Sequence, residues 1–127
     1  MGRENFSTGA KWEDKVGYSR AVRIGDTIEV SGTVALVDGE LIGLNDPYTQ
    51  TKCILQIIEK TLKKAGAKLE DVIRTRIFVT DISQWEEIGR AHGEVFAAIK
   101  PATSMVEVSA LISPEFLLEI EATAILQ

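Results

Sequence analysis

Apolar and polar positions alternate, or β-branched residues dominate, over residues 20–24, 27–35, 72–80, 103–112 and 116–126. A period near two is the mark of a strand, because successive side chains point to opposite faces. Gly25-Asp26 separates the first two runs as a hairpin turn, and a short link containing Pro114 joins the last two. A further short strand is expected at 40–42, after Asp38-Gly39. Residues 1–17 hold three glycines and few apolar anchors apart from Phe6 and Trp12, and read as an irregular lead-in.

Two stretches switch to helical spacing. Asp46 is placed to cap a first helix with Pro47 at its first position, and Ile54, Ile58, Leu62 and Ala65 form its apolar stripe before Gly66 ends it. Ser83-Gln84-Trp85-Glu86 fits a capping box that opens a second helix. The inner stripe of that helix is expected to be Trp85, Ile88, His92, Phe96 and Ile99, with Pro101 beyond its end. The order β-β-(β)-α-β-α-β-β predicts an α+β sandwich, a sheet of about six strands with both helices on one face.

Strand alternation assigns Val30, Val34, Val106, Val108, Leu118 and Ile120 to the face under the helices. The opposite face then carries Ser31, Thr33, Thr103, Met105, Glu107, Glu119 and Glu121, with Leu111, Leu117 and Ile125 among them. Such a mixture is too apolar for a solvated face and too charged for a core. It fits the interface of a homo-oligomer with polar pockets.

The 127 residues make one domain, 1–127, of ordinary globular composition, 45% hydrophobic and 26% charged. A net charge of −5 weighs against a nucleic-acid partner, which needs a concentrated basic face. No run of roughly 20 apolar residues offers a membrane span. The single cysteine, Cys53, admits no intrachain disulfide and fits a reducing, cytoplasmic setting.

Glu119 and Glu121 lie two apart on a strand and share a face, with Glu107 on the same side in this reading. Partly buried carboxylates can serve as general acid or base; equally, they can sit in salt bridges with Arg20, Arg23, Arg74 or Arg76. His92, the only histidine, is placed either to pack and hydrogen-bond within the helix stripe or to act at a site. One His and one Cys do not make a zinc site of the usual ligand types, so no metal is expected. Cys53 has no evident activator and reads as a structural thiol.

The run Lys100-Pro101-Ala102-Thr103-Ser104-Met105-Val106-Glu107-Val108, followed by Leu118-Glu119-Ile120-Glu121-Ala122, resembles the signature region of the Rid (reactive intermediate/imine deaminase, or YjgF) family. Val16-Gly17-Tyr18-Ser19, Val30-Ser31-Gly32-Thr33 and Phe78-Val79-Thr80-Asp81 resemble it too, in the family's order. The resemblance implies a chorismate-mutase-like subunit in a homotrimer, with a central barrel and small-molecule clefts between subunits. It implies deamination of reactive imines and enamines without cofactor or metal. By position, Tyr18 and Ser31 with Gly32 line the site and Glu121 places the attacking water. The arginine that clamps the substrate carboxylate is Thr103 here, which marks a divergent subgroup, and Met105 stands where deaminases often carry cysteine. Trp85 and His92 are expected beside Met105.

Two function classes follow: a hydrolase of imines, enamines or related small amino compounds, or a non-catalytic module that binds a small metabolite. An endoribonuclease, a name many relatives carry, fits the acidic balance least.

Overall fold

The computed structural model describes residues 2–127, and its core is a six-stranded mixed sheet whose strands lie in the spatial order 3–6, 21–24, 27–33, 118–125, 72–79 and 102–107. The elements, in chain order, are β1 (Arg3–Phe6), α1 (Lys11–Val16), β2 (Ala21–Ile24), β3 (Thr27–Thr33), β4 (Leu36–Val37), β5 (Glu40–Leu41), α2 (Pro47–Lys64), β6 (Val72–Val79), α3 (Trp85–Phe96), β7 (Ala102–Glu107) and β8 (Leu118–Ile125). All pairings in the main sheet are antiparallel except β6 with β7, the two strands joined through α3. The expected α+β architecture is present, with α2 and α3 on one face. Ile54, Leu55, Ile58 and Leu62 of α2 and Ile88 and Phe96 of α3 are buried against Ile28, Val30, Ile77, Leu118 and Ile120.

The lead-in is not irregular. Residues 3–6 pair with β2, Arg3 opposite Ile24 and Phe6 opposite Ala21, and residues 11–16 form a helix that stops at Gly17 with φ 87°. Neither element announces itself, because β1 is mostly exposed and polar and owes its shape to the neighbouring strand. Residues 40–41 do form a strand, but in a separate ribbon with β4 around Asp38-Gly39, both at positive φ. The sixth strand of the sheet is therefore β1.

The first helix starts as its sequence indicates, with the Asp46 carboxylate accepting from Thr49 N at 3.0 Å and Thr49 Oγ1 at 2.7 Å. The second does not. Asp81 caps a 3-10 turn over Ile82–Gln84 that precedes α3, accepting from Ser83 N at 3.0 Å, and α3 itself starts after Gln84 with no side-chain cap. Helical geometry begins only at Trp85, which is 56% exposed and takes no part in the inner stripe.

The largest departure concerns β7, which ends at Glu107 rather than 112 and runs parallel to β6 in the register Thr75↔Thr103, Ile77↔Met105 and Val79↔Glu107. Paired residues share a face. Thr75, Ile77 and Val79 are buried on the helix side, so Thr103, Met105 and Glu107 point that way too. Val106, expected beneath the helices, lies opposite Phe78 and is exposed, and Ala110 and Ile112 lie in the exposed loop before β8. Thr33 also changes sides. A one-residue bulge at Ser31-Gly32, between the pairs Val30↔Ala122 and Thr33↔Ile120, returns it to the core.

Gln50 ties the layers together. Fully buried on α2, its amide nitrogen donates to Gly43 O and Glu115 O, each at 3.0 Å, and its amide oxygen accepts from Leu117 N at 3.0 Å. Gln50→Leu strands three backbone groups at once. We expect a loss of about 2–3 kcal/mol and a melting temperature lower by roughly 10 °C, read by thermal denaturation.

Candidate functional site

The chemistry-bearing residues fall into two groups on opposite faces of the sheet. The first surrounds a cleft of about 400 Å³ on the face away from α2 and α3. The bulge in β3 forms its floor. Ser31 N donates to Arg20 O at 3.0 Å and Ser31 Oγ donates to Ser19 O at 2.7 Å, which leaves the hydroxyl oxygen free to accept. Tyr18 enters from the end of α1, where Gly17 turns the chain through its left-handed conformation. Arg20 lies with its guanidinium carbon 5.8 Å from the Tyr18 ring centre and donates from Nη2 to Gly32 O at 2.6 Å.

Glu119 lies directly over Gly32. A β-carbon built on residue 32 would stand 1.8 Å from Glu119 Oε1 and 2.7 Å from its carboxyl carbon, so glycine is required for the carboxylate to rest where it does. Burial pushes the Glu119 carboxyl above its ordinary range; the charge of Arg20 opposes this and that of Glu121 adds to it. Glu121 also borders the cleft, but its carboxylate is paired with Arg76 at 3.6 Å across the β8–β6 ladder. Glu119 is therefore the carboxyl that burial acts on most, and Glu121 is the one in an ion pair. The apolar wall is made by Trp12 and Val16 of α1, Val34, Leu111, Ile112 and Phe116, with Trp12 edge-on to Phe116 at 6.5 Å between centroids. This wall was hidden in the sequence, because Trp12 and Val16 come from the lead-in and the other four residues from three separate stretches that read as strand.

The second group sits on the helix side. His92 Nε2 is 2.9 Å from Thr75 Oγ1, which is 2.8 Å from Thr103 Oγ1, and Thr103 Oγ1 donates to Pro101 O at 3.2 Å. If Thr103 spends its proton on Pro101, Thr75 must donate to Thr103 and accept from an Nε2–H of His92. Burial depresses the His92 pKa, which favours that neutral ring. Met105 follows two residues along β7 on the same side.

The expectation that Thr103 and Met105 share a face with Glu121 is therefore overturned by the parallel β6–β7 register. In that register Ser104, not Thr103, stands beside Arg76 and Glu121. Trp85 joins neither group, since it lies seven residues from His92 along α3, about 10 Å along the helix axis. Cys53 is a buried thiol whose pKa burial pushes up. Among the described residues no cluster of three or more His, Cys, Asp or Glu is placed to hold a metal ion. No helix among them is long and apolar enough to cross a membrane.

Comparison with known proteins gives one answer throughout. The sequence model of the family described as Endoribonuclease L-PSP matches residues 9–126. Among solved structures, Rv2704 of Mycobacterium tuberculosis, a member of the YjgF/YER057c/UK114 family, is 50% identical and superposes with a TM-score of 0.90, covering 98% of this chain and 100% of that one. YyfA of Yersinia pestis, from the conserved Rid protein family, is 28% identical with a TM-score of 0.86 over 98% of this chain and 100% of that one. A RutC family protein of Pyrococcus abyssi is 34% identical over 109 residues, 84% of each chain.

The raised Glu119 pKa sets a sign. The folded chain keeps a proton that the unfolded chain, with an ordinary glutamate near about 4.3, has already released. Stability is therefore lost as pH rises from that range through the folded value, and the loss is complete above it. Glu119→Gln removes the loss. Its melting temperature is expected to exceed that of the wild type at neutral pH, with the difference vanishing near pH 4; a difference independent of pH would refute this account of the carboxyl.

Proposed function

Because the chain belongs to the Endoribonuclease L-PSP family, the YjgF/Rid group, we propose that it is a cofactor-independent hydrolase of C–N bonds in reactive imines and enamines, working in a cleft between subunits of a homotrimer. One observation carries the reading: a carboxyl of raised pKa rests on a glycine bulge, at the floor of a cleft edged by the hydroxyls of Tyr18 and Ser31. A carboxylate that can take up and return a proton is what water addition to an imine needs. Glu119 takes a proton from water as the oxygen bonds to the imine carbon, then returns it to the nitrogen of the carbinolamine. The C–N bond breaks as the carbonyl forms, releasing ammonia. The role first assigned to Glu121 passes to Glu119, since Glu121 already has Arg76 as partner.

Assembly completes the site in this reading. Glu121 and Thr103 lie two strands apart on opposite faces of one subunit, about 10 Å across the sheet alone, so a second copy must bring the β7 edge over the cleft. The face around the cleft suits such a contact, mixing Val22, Phe78 and Ile125 with Arg76 and Glu121. Thr103, Met105 and His92 then belong to the adjoining wall. The lone buried thiol of Cys53 suits a cytoplasmic setting.

A second reading, a module that binds a small metabolite without turnover, draws on Thr103. Its neutral hydroxyl gives up a charge-assisted pair worth on the order of 1.5–3 kcal/mol. Ribonuclease activity is disfavoured by the two carboxylates at the cleft floor.

Purified protein should accelerate ammonia release from freshly generated imines, and Glu119→Gln should lower kcat by about 10²–10⁴. Glu121→Gln should cost less. Ligand-dependent thermal shifts without turnover would instead establish the binding module. Sedimentation equilibrium should return three times the 13.9 kDa chain mass. Thr103→Arg should raise kcat/KM on carboxylate-bearing imines about ten-fold, as one restored charged contact predicts.

A further inference from the structure

Resting on the reading of the cleft as an imine-hydrolysing site, we infer that its substrate is an imine with a bulky apolar substituent and no carboxylate, bound as the iminium cation. Charge supplies the first argument. The floor carries Glu119 and Glu121, and no Lys or Arg is among the described lining residues. The two nearby guanidiniums lie outside the lining, Arg20 donating from Nη2 to Gly32 O at 2.6 Å and Arg76 paired with Glu121 at 3.6 Å. A carboxylate placed over Glu119 would meet like charge in a partly desolvated site, whereas an iminium would meet its complement.

The walls supply the second argument. Trp12, Leu111, Ile112 and Phe116 give an apolar surface that a two- or three-carbon imino acid cannot cover, and about 400 Å³ is space for an aliphatic or aromatic side chain. Thr103 supplies the third. The residue at the family's clamp position is neutral and spends its hydroxyl within its own subunit, on Thr75 and Pro101 O. Where another copy presents that wall, Thr103 itself brings a hydroxyl and not a guanidinium.

The chemistry balances without any further reactant. Water adds to R–CH=NH2+, Glu119 accepts its proton and passes it to nitrogen, and the C–N bond breaks as the aldehyde forms, giving R–CHO and NH4+. The hydroxyl proton of the carbinolamine leaves with the nitrogen, which departs as ammonium.

The test uses the intact purified protein and two imines with the same branched side chain. One is made in situ from isopentylamine by an amine oxidase, the other from leucine by an amino-acid oxidase, and imine decay is followed by semicarbazide trapping. The expected result is at least a ten-fold higher kcat/KM for the imine without a carboxylate. Equal or preferred hydrolysis of the leucine-derived imino acid would overturn the inference and leave the hydrolase reading standing. Acceleration of neither would overturn the hydrolase reading itself, and the inference with it.

Discussion

Glu119 and Gly32 occupy nearly the same space, and the cleft is arranged around that contact. The carboxylate can lie over the backbone of β3 only because residue 32 has no side chain and because the bulge at Ser31-Gly32 opens the ladder there. The same bulge turns Gly32 O toward Arg20 and returns Thr33 to the core. An extra residue in one strand thus sets the carboxylate, its counter-charge and the resumption of the hydrophobic pattern together. A carboxyl so held costs stability when ionised, a penalty commonly found where proton transfer is performed.

The rest of the protein positions that contact. The long helix α2 and shorter α3 cover one face of the sheet, leaving Thr103 and Glu107 of β7 exposed, and Gln50 joins α2 to the loops on either side. Helix α1 lies at the other face, where Trp12 meets Phe116 and closes one wall. The rest of that face carries no helix, and its alternation of charge with apolar side chains is what the proposed double duty of catalysis and subunit contact calls for.

Much of the fold could be read from residue order. The α2 cap at Asp46 and the Gly25-Asp26 hairpin follow from local rules, and the signature runs point to the family that the comparisons establish. What escaped was non-local. β1 is a strand because β2 lies beside it, and α3 begins late because a 3-10 turn capped by Asp81 takes up Ile82–Gln84. Most costly was the face of β7. Alternation shows which residues of a strand go together but not which set points inward, and here the parallel partner decides. Thr103 and Glu121, joined on paper, therefore stand on opposite sides, while Glu119 was flagged but could not be ranked above its neighbour without the geometry of Gly32.

β7 is bonded to the sheet through β6 alone, so its outer row of peptide groups has no strand beside it within the subunit. An open edge of this kind is a template for strand addition, and natural proteins blunt it with charge, distortion or a covering partner. Glu107 at its end supplies one charge, and its side chain turns back to accept from Ile82 N. A partner that covers the edge would also hide an aggregation-prone surface. Selection for a chain that stays soluble and selection for a closed cleft then act on one strip of sequence, and neither can relax without the other feeling it.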